Sequence, residues 1–582
     1  VRGAASLQYG TQFGGLLNFM LRKPAPDRKV QLLARQTVGS FGFYNTFTSL
    51  SGTVKKLSYY TYFQYKSGNG WRPNSQFDNY NFYTNINYQL SHKTKVGLDV
   101  TLMDYLAKQP GGLSDRMFNQ DPRQSIRERN WFKVRWNMLA LHFNHKFNAS
   151  NEFNIRLFSL LAYRNSLGFR PNRVETIDDH GERDLIKGNF LNWGAEARYL
   201  KRYHIRKRPM VLLLGTRYYH GFNHSTQGQG SKGKDADFNY VQDNIMIYDY
   251  RFPNRNLAFF VEHIFYLSDR WSITPGIRYE FIHTTAEGYY GSIVRDLAGG
   301  IIDVKRIHEN RESARDFALG GIGLSYKPIH KLNAYANISQ NYRSITFSDM
   351  RISNPSFVID PHMTDERGYS FDLGVRSEHT KHFNYDVSIF YLSYNNRIGE
   401  FLTKDKDKRP VRERGNIGQA AIMGIESYAE GDLIKLFKPQ VKHYSSLLYA
   451  NIAIIESKYI ETKIPGAKGN QVEFVPRFNI KTGIKLGFKQ FKACFQTTYV
   501  ADQYSDVTNA TKSDVSAVTG LIPAYTIMDL SLSYEYKFMK LEGSINNLVD
   551  QMYFTRRATG YPGPGILPSD GRSFYFTLQV KF

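Results

Sequence analysis

The chain is poor in cysteine, in acids and in long apolar runs, and each shortage excludes a class. Its 582 residues include one cysteine, Cys494. Neither an internal disulfide framework nor a thiolate zinc site can be built from it. The longest aliphatic run, Met210 to Leu214, falls far short of the ~20 apolar residues of a spanning helix. Acids are outnumbered: 76 Lys and Arg face 52 Asp and Glu, a net charge of +24. A His-Glu-x-x-His zinc motif, a nucleophile elbow and a phosphate-binding loop are all missing. No enzyme, resident metal or cofactor is expected. The excess is aromatic, with 41 Tyr, 41 Phe and 5 Trp, which excludes intrinsic disorder. A chain of mean hydropathy −0.47 that is nonetheless so aromatic suits an outer-membrane β-barrel. Such strands alternate lipid-facing apolar and lumen-facing polar residues between aromatic girdles. A large soluble β-protein, such as a propeller, is the other reading of composition alone.

Alternation favours the barrel. In Arg572 to Phe582 the set Phe574, Phe576, Leu578, Val580 and Phe582 opposes Ser573, Tyr575, Thr577, Gln579 and Lys581, a half-buried strand of period 2. A chain that ends on a complete strand suits a barrel, where the last strand closes on the first. Met528, Leu530, Leu532, Tyr534 and Tyr536 oppose Asp529, Ser531, Ser533 and Glu535 in the same way. Trp271, Ile273, Pro275, Ile277, Tyr279 and Phe281 oppose Ser272, Thr274, Gly276, Arg278 and Glu280. Leu332, Ala334, Ala336 and Ile338 oppose Asn333, Tyr335, Asn337 and Ser339. Ions on the inner face imply a wet lumen. Cys494 falls on an inner set and is expected to be inert. Short turns, such as Lys201–Arg208 and Lys489–Gln490, alternate with long polar stretches, such as Ala107–Asn130, Gly168–Asn189, Asn223–Asn256, Thr284–Arg315 and Arg343–Glu366. Ten turns and eleven loops predict 22 antiparallel strands over residues 28–582, with Arg572–Phe582 beside a first strand near Val30–Val38. A barrel of that width cannot be filled by side chains and calls for a plug.

Val1 to Pro24 carries Arg2-Gly3, Tyr9-Gly10, Gly14-Gly15 and Asn18 before a Pro-containing link. This resembles the end of the plug domain of TonB-dependent outer-membrane receptors. Gln12 makes it most similar to the ferric-citrate branch. Asn546 to Asp550, Gly424-Ile425-Glu426, Val475-Pro476-Arg477 and the closing Phe582 are similar to barrel elements of the same family. The resemblance implies that residues 1–27 end a plug domain. It further implies that most of the plug, and the periplasmic segment that engages the inner-membrane energy-coupling protein TonB, precede Val1. It places the protein in the outer membrane of a Gram-negative bacterium, among lipid and lipopolysaccharide, and implies active import of a ferric chelate such as ferric citrate or an anionic siderophore.

The charge suits an anionic cargo, because clefts of one sign concentrate the other and Arg binds carboxylates bidentately. Ligand candidates are Gln12 near the plug apex and Arg170, Arg173, Arg343 and Arg397 just above strand ends. Arg351, Arg412, Arg414, Arg556 and Arg557 lie in further predicted loops. Each Arg is also open to a plainer reading, as a solvated loop charge or a lipopolysaccharide contact. No His lies from Tyr342 to Pro355, which disfavours haem, and His362-Met363 reads as structural. Nucleic acid is not expected, since the aromatics follow the strand period. The rival functions are import of cobalamin, or of a glycan or peptide with a surface lipoprotein, and a structural role in a larger outer-membrane assembly.

Overall fold

The computed structural model describes residues 7–10, 13, 15–171, 173–242, 245–295, 301–350, 357–377, 382–404, 410–560 and 563–582. Twenty-two strands form one closed antiparallel sheet, from Gln31–Gly39 to Ser573–Lys581. Each pairs with its neighbours along the chain, and the last pairs with the first from Leu33↔Lys581 to Gly39↔Tyr575. Closure leaves no edge for hydrocarbon to meet. Across the seam the Arg35 Nε donates to Gln579 at 3.1 Å, and the Thr37 and Thr577 hydroxyls share a bond at 2.9 Å. Gly39 has a steric reason: a Cβ there would collide with the Tyr575 ring. On the outer wall Phe574 and Phe576 stand about half exposed, at 51% and 52%, with Leu578 and Val580 on the same face. No helix among the described residues is long and apolar enough to cross a membrane; the crossing is made by strands.

The short turns tighten as expected. Lys201–Arg208 shrinks to Arg206-Lys207, both with positive φ of 49° and 66°, the two-residue hairpin turn that matches strand twist. The long loops need correcting. Composition reads Thr284–Arg315 as loop, but strands Trp271–Arg295 and Ile301–Ile329 stay paired up to Val294↔Asp303. The second strand is 29 residues long, roughly three times the ~9–11 needed to span. Charges read as loop signals are cross-strand partners instead, as where the His283 imidazole meets Glu312 at 2.6 Å. Gly168–Asn189 and Asn223–Asn256 likewise shorten, because strands Arg183–Ile205, Arg208–Gly230 and Tyr248–Tyr266 run above the membrane. A three-residue strand, Phe357–Ile359, pairs in parallel with residues 412–414 outside the barrel count.

Four outer connections on one side of the mouth pack into a compact cap. Leu113, Met117, Val174, Ile522, Phe554 and Ile566 form its apolar centre. Leu113 and Ile566 exchange backbone bonds of 2.9 and 2.8 Å, and Gly112 is needed because a Cβ would strike the Pro564 carbonyl. Buried arginines tie these backbones together. Arg557, 3% exposed, donates to both oxygens of Asp115 at 2.7 and 2.9 Å and to the Leu521 carbonyl at 2.8 Å. Arg127 donates to the carbonyls of Val174 and Thr176. Arg129 holds Asp178 and the carbonyls of Gly181 and Lys232. Arg72 donates to Gly111 and Gln124, and burial lowers its guanidinium to about 10. Arginine suits this work because its fork of five donors satisfies several loop carbonyls at once.

Burial alone would raise the Asp115 and Asp178 carboxyls, but bonds from Arg557 and Arg129 outweigh it and hold both below the ordinary carboxylate range. The folded value lies below the unfolded ~3.9. Their stabilisation is therefore complete above that value and is lost as pH falls through the folded one. Hydrogen exchange at pH 7 and near pH 3, corrected for intrinsic rates, should show residues 109–130 and 169–182 loosening while the barrel strands stay protected. Arg557→Met should loosen the same loops at pH 7. For the wall, Leu578→Arg should cost ~2–4 kcal/mol if it lies near the bilayer midplane, read by urea titration in bilayers; an unchanged free energy would place Leu578 off the lipid face.

Candidate functional site

Residues 7–10, 13 and 15–24 lie in the lumen. Leu7 is buried against Ile282, Leu319 and Tyr342 of the inner wall. Gly10, at φ 87°, closes a turn by donating to the Leu7 carbonyl at 3.2 Å. Two wall arginines grip this turn. Arg278 donates to the Leu7 carbonyl at 3.2 Å and is ion-paired with Glu280. Arg198 donates to the Gln8 side chain at 2.7 Å and lies 5.0 Å over the Tyr9 ring. Phe13 stacks on Tyr394 with ring centroids 3.7 Å apart. Gly15 has a φ of 83°, and Asn18 is exposed beside Met20. Below, a cavity of about 1470 Å³ opens between Phe19, Arg22 and inner-wall groups including His142, Arg156 and Arg217. Arg2, Gly3, Gln12 and Gly14 lie outside the described residues.

Two of the four candidate arginines come together beside Phe13. Arg343 ends strand Leu332–Arg343, and Arg397 lies in strand Phe383–Lys404. Both act electrostatically on Glu366 and on Tyr394. Arg343 Nη2 donates to the two Asp349 oxygens at 3.0 and 3.2 Å, and its Nη1 stands 3.5 Å from Glu366. Arg397 pairs with Glu473 at 2.8 Å and donates to the Tyr459 hydroxyl at 2.6 Å. On the strand next to Arg343, Arg315 pairs with Asp365 at 2.7 Å, which also accepts from the Tyr342 hydroxyl and the Ile345 amide. Consecutive acids, Asp365 and Glu366, thus hold arginines of adjacent strands. Two guanidinium nitrogens of this cluster, Arg343 Nη1 and Arg315 Nη2, are buried without a hydrogen-bond partner among the described residues. A buried donor left unpaired costs ~1–3 kcal/mol, more when charged, so the cluster is suited to accept an anion.

The other candidates are elsewhere. Arg170 sits within electrostatic reach of Asp184, and Arg173 is exposed on the loop that Arg127 and Arg129 hold. Arg414 pairs with Glu400 and donates to the Ser348 carbonyl. Arg556 is exposed, whereas Arg557 is a buried fastener of the cap and is withdrawn as a ligand candidate. Arg351 lies outside the described residues, as does the side chain of Arg412. His362 is exposed, its amide bonded to Asp360. The expectation of generally basic outer loops fails. The eleven outer connections carry 20 Lys and Arg against 22 Asp and Glu.

Arg198, Arg278, Arg315, Glu366 and Tyr394 were not singled out as ligand or anchoring residues from the sequence. Arg278 had a signal, since strict alternation puts it with Glu280 on the inner set. Glu366 and Tyr394 had none beyond their strand, because the pattern gives a residue's face but not its neighbours two strands away.

A family model described as "TonB dependent receptor-like, beta-barrel" matches residues 70–548. The vitamin B12 transporter BtuB of Vibrio vulnificus strain YJ016 is 22% identical over 403 residues, 64% of this chain and 57% of that relative's own length. Among solved structures, the unliganded ferric citrate transporter FecA is similar with a TM-score of 0.81 at 19% identity, over 100% of this chain and 83% of that one. The siderophore receptor PiuA from Acinetobacter baumannii is similar with a TM-score of 0.77 at 13% identity, over 100% and 85%.

The grip on the lumenal turn is testable without any cargo. Arg278 and Glu280 are both buried, and removing one partner of a buried pair costs ~3–5 kcal/mol. Arg278→Met and Glu280→Gln should each lower the thermal stability of the folded barrel, and the double variant should lose less than the two losses added. Additive losses would mean that the pair does not couple.

Proposed function

The chain belongs to the family of TonB-dependent receptor-like β-barrels and is an outer-membrane protein; from that premise we propose that it imports an anionic ferric chelate, ferric citrate or a siderophore-like complex. Residues 1–27 are proposed as the end of the plug and residues 28–582 as the barrel, with transport driven through TonB. The observation that carries the cargo reading is the apical cluster. Arg343 and Arg397 both act on Glu366 and on Tyr394, whose ring stacks on Phe13, and two buried guanidinium nitrogens, Arg343 Nη1 at 3.5 Å from Glu366 and Arg315 Nη2 on the next strand, make no hydrogen bond among the described residues. Carboxylate or catecholate oxygens of a chelate supply such acceptors in bidentate geometry. Arg343 and Arg397 already hold Asp349 and Glu473, so the chelate joins or displaces these acids, and affinity comes from the difference. Gln12, at the apex in sequence, is proposed as a further contact. Arg170 and Arg173 are proposed as first-encounter charges of the rim. The names of the similar solved structures, a ferric citrate transporter and a siderophore receptor, support an iron chelate.

Binding of ferric citrate, a catecholate chelate and cyanocobalamin to the full-length protein tests this. Arg343→Ala and Arg397→Ala should each weaken ferric-chelate binding roughly tenfold to a hundredfold, from ~1.5–3 kcal/mol per charged hydrogen bond. Arg173→Ala, at an exposed site, should change it less than about threefold. Cobalamin bound while every ferric chelate is ignored would overturn the cargo reading and leave the fold untouched.

A further inference from the structure

The charge missing from the outer connections is found at the opposite end. The ten short turns carry 13 Lys and Arg against two acids, Asp269 and Glu378. Turns of this length lie at the periplasmic end of such barrels. The rim there is therefore strongly basic, while the mouth is near neutral.

One arc of that rim has more than charge. Residues 433–443 form the longest of the ten turns and contain the short helix Leu433–Phe437. Leu433 and Leu436 are exposed, and Phe437 is 83% exposed. The helix is followed by Lys438 and Lys442, both exposed. The two neighbouring turns each place a lysine against an outward aromatic: Lys489 lies 5.4 Å over Phe488, and Lys537 lies 5.2 Å over Tyr536. Two acids of this arc are engaged, Asp432 with Lys435 at 3.4 Å and Glu542 with Lys540 at 2.5 Å, while Glu535, exposed beside the Lys489–Gln490 turn, stands on the inner set of its strand. Beneath the helix the wall has a groove of about 540 Å³. Its floor holds the small residues Ala493 and Gly543. Leu486, Phe491, Leu532 and Phe576 form its sides, and Ile434 of the helix its upper edge. A Cβ at Gly543 would meet nothing within 4 Å, so the groove is open there.

We propose that this arc binds an anionic phospholipid of the inner leaflet, with its headgroup phosphate among Lys438, Lys442, Lys489 and Lys537 and an acyl chain in the groove over Ala493 and Gly543. Cations beside exposed aromatics at one level form an interfacial anchor. Basic pockets at a membrane edge select anionic headgroups, each Lys contributing about fivefold in affinity. The apolar groove continues the lipid-facing wall, which an acyl chain matches and an acidic soluble protein does not.

Native mass spectrometry of the full-length protein, titrated with phosphatidylglycerol or phosphatidylethanolamine of identical chains, reads the preference. Phosphatidylglycerol should be retained in excess. Lys→Gln at the four positions together should weaken it on the order of a hundredfold or more, and Lys→Arg should restore it. Gly543→Leu, which fills open space, should weaken both lipids alike. Retained electrophoretic mobility of the unheated barrel certifies that each variant folds. Equal affinity for the two lipids, or a fourfold Gln variant that keeps wild-type phosphatidylglycerol binding, overturns the proposal. So does an unaltered Gly543→Leu variant, or a preference for a polyglutamate peptide over phosphatidylglycerol vesicles.

Discussion

In hydrocarbon no backbone amide can be left without a partner, and the rest of this structure follows from that constraint. The sheet must close, and it does so where Ser573–Lys581 meets Gln31–Gly39. Closing 22 strands makes a lumen too wide for side chains to fill. The inner wall therefore carries groups that water or an inserted segment can satisfy, and the outer wall carries the aromatics. The lumenal segment that enters through Tyr9-Gly10 is held by polar grips, Arg198 and Arg278, with Leu7 as the apolar anchor.

Strand number and facing were legible in the sequence because both depend on period 2, a local signal repeated along the chain. Trp271 to Phe281 and Phe574 to Val580 stand where that period puts them. Strand ends were less legible. The run from Thr284 to Arg315 contains the Gly, Asp and Arg that mark loops, but Glu312 meets the His283 imidazole across a hairpin. Composition cannot distinguish a solvated charge from a paired one. The same blindness applies to Arg557, which read as a loop cation and is a buried fastener for the carbonyls of a distant loop. Arg343 and Arg397 were picked for height above the strands, which the period supplies. Their meeting around Glu366 depends on which strands pair and in what register, Arg343 opposite Glu366 and Arg397 on the next strand, which it does not.

Charge shows the same division between the local and the global. The total of +24 suggested an attractive mouth. Sorted by the strand ends, the surplus belongs to the inner turns and the lumen, while the outer connections balance. Steering at long range is thus weak at the mouth, and selection of an anion falls to a few desolvated guanidinium groups in the apical lumen. There each bond counts for more than on an exposed loop.

The most direct test of the account is the position of iron. Crystals of the full-length protein soaked with a ferric chelate, with diffraction collected at the iron absorption edge, locate the metal without assuming any contact. The account predicts one anomalous peak in the apical lumen, within reach of the Arg343 and Arg397 side chains and above the Phe13–Tyr394 stack. A peak confined to the outer cap beside Arg173, or at the periplasmic rim, would contradict it.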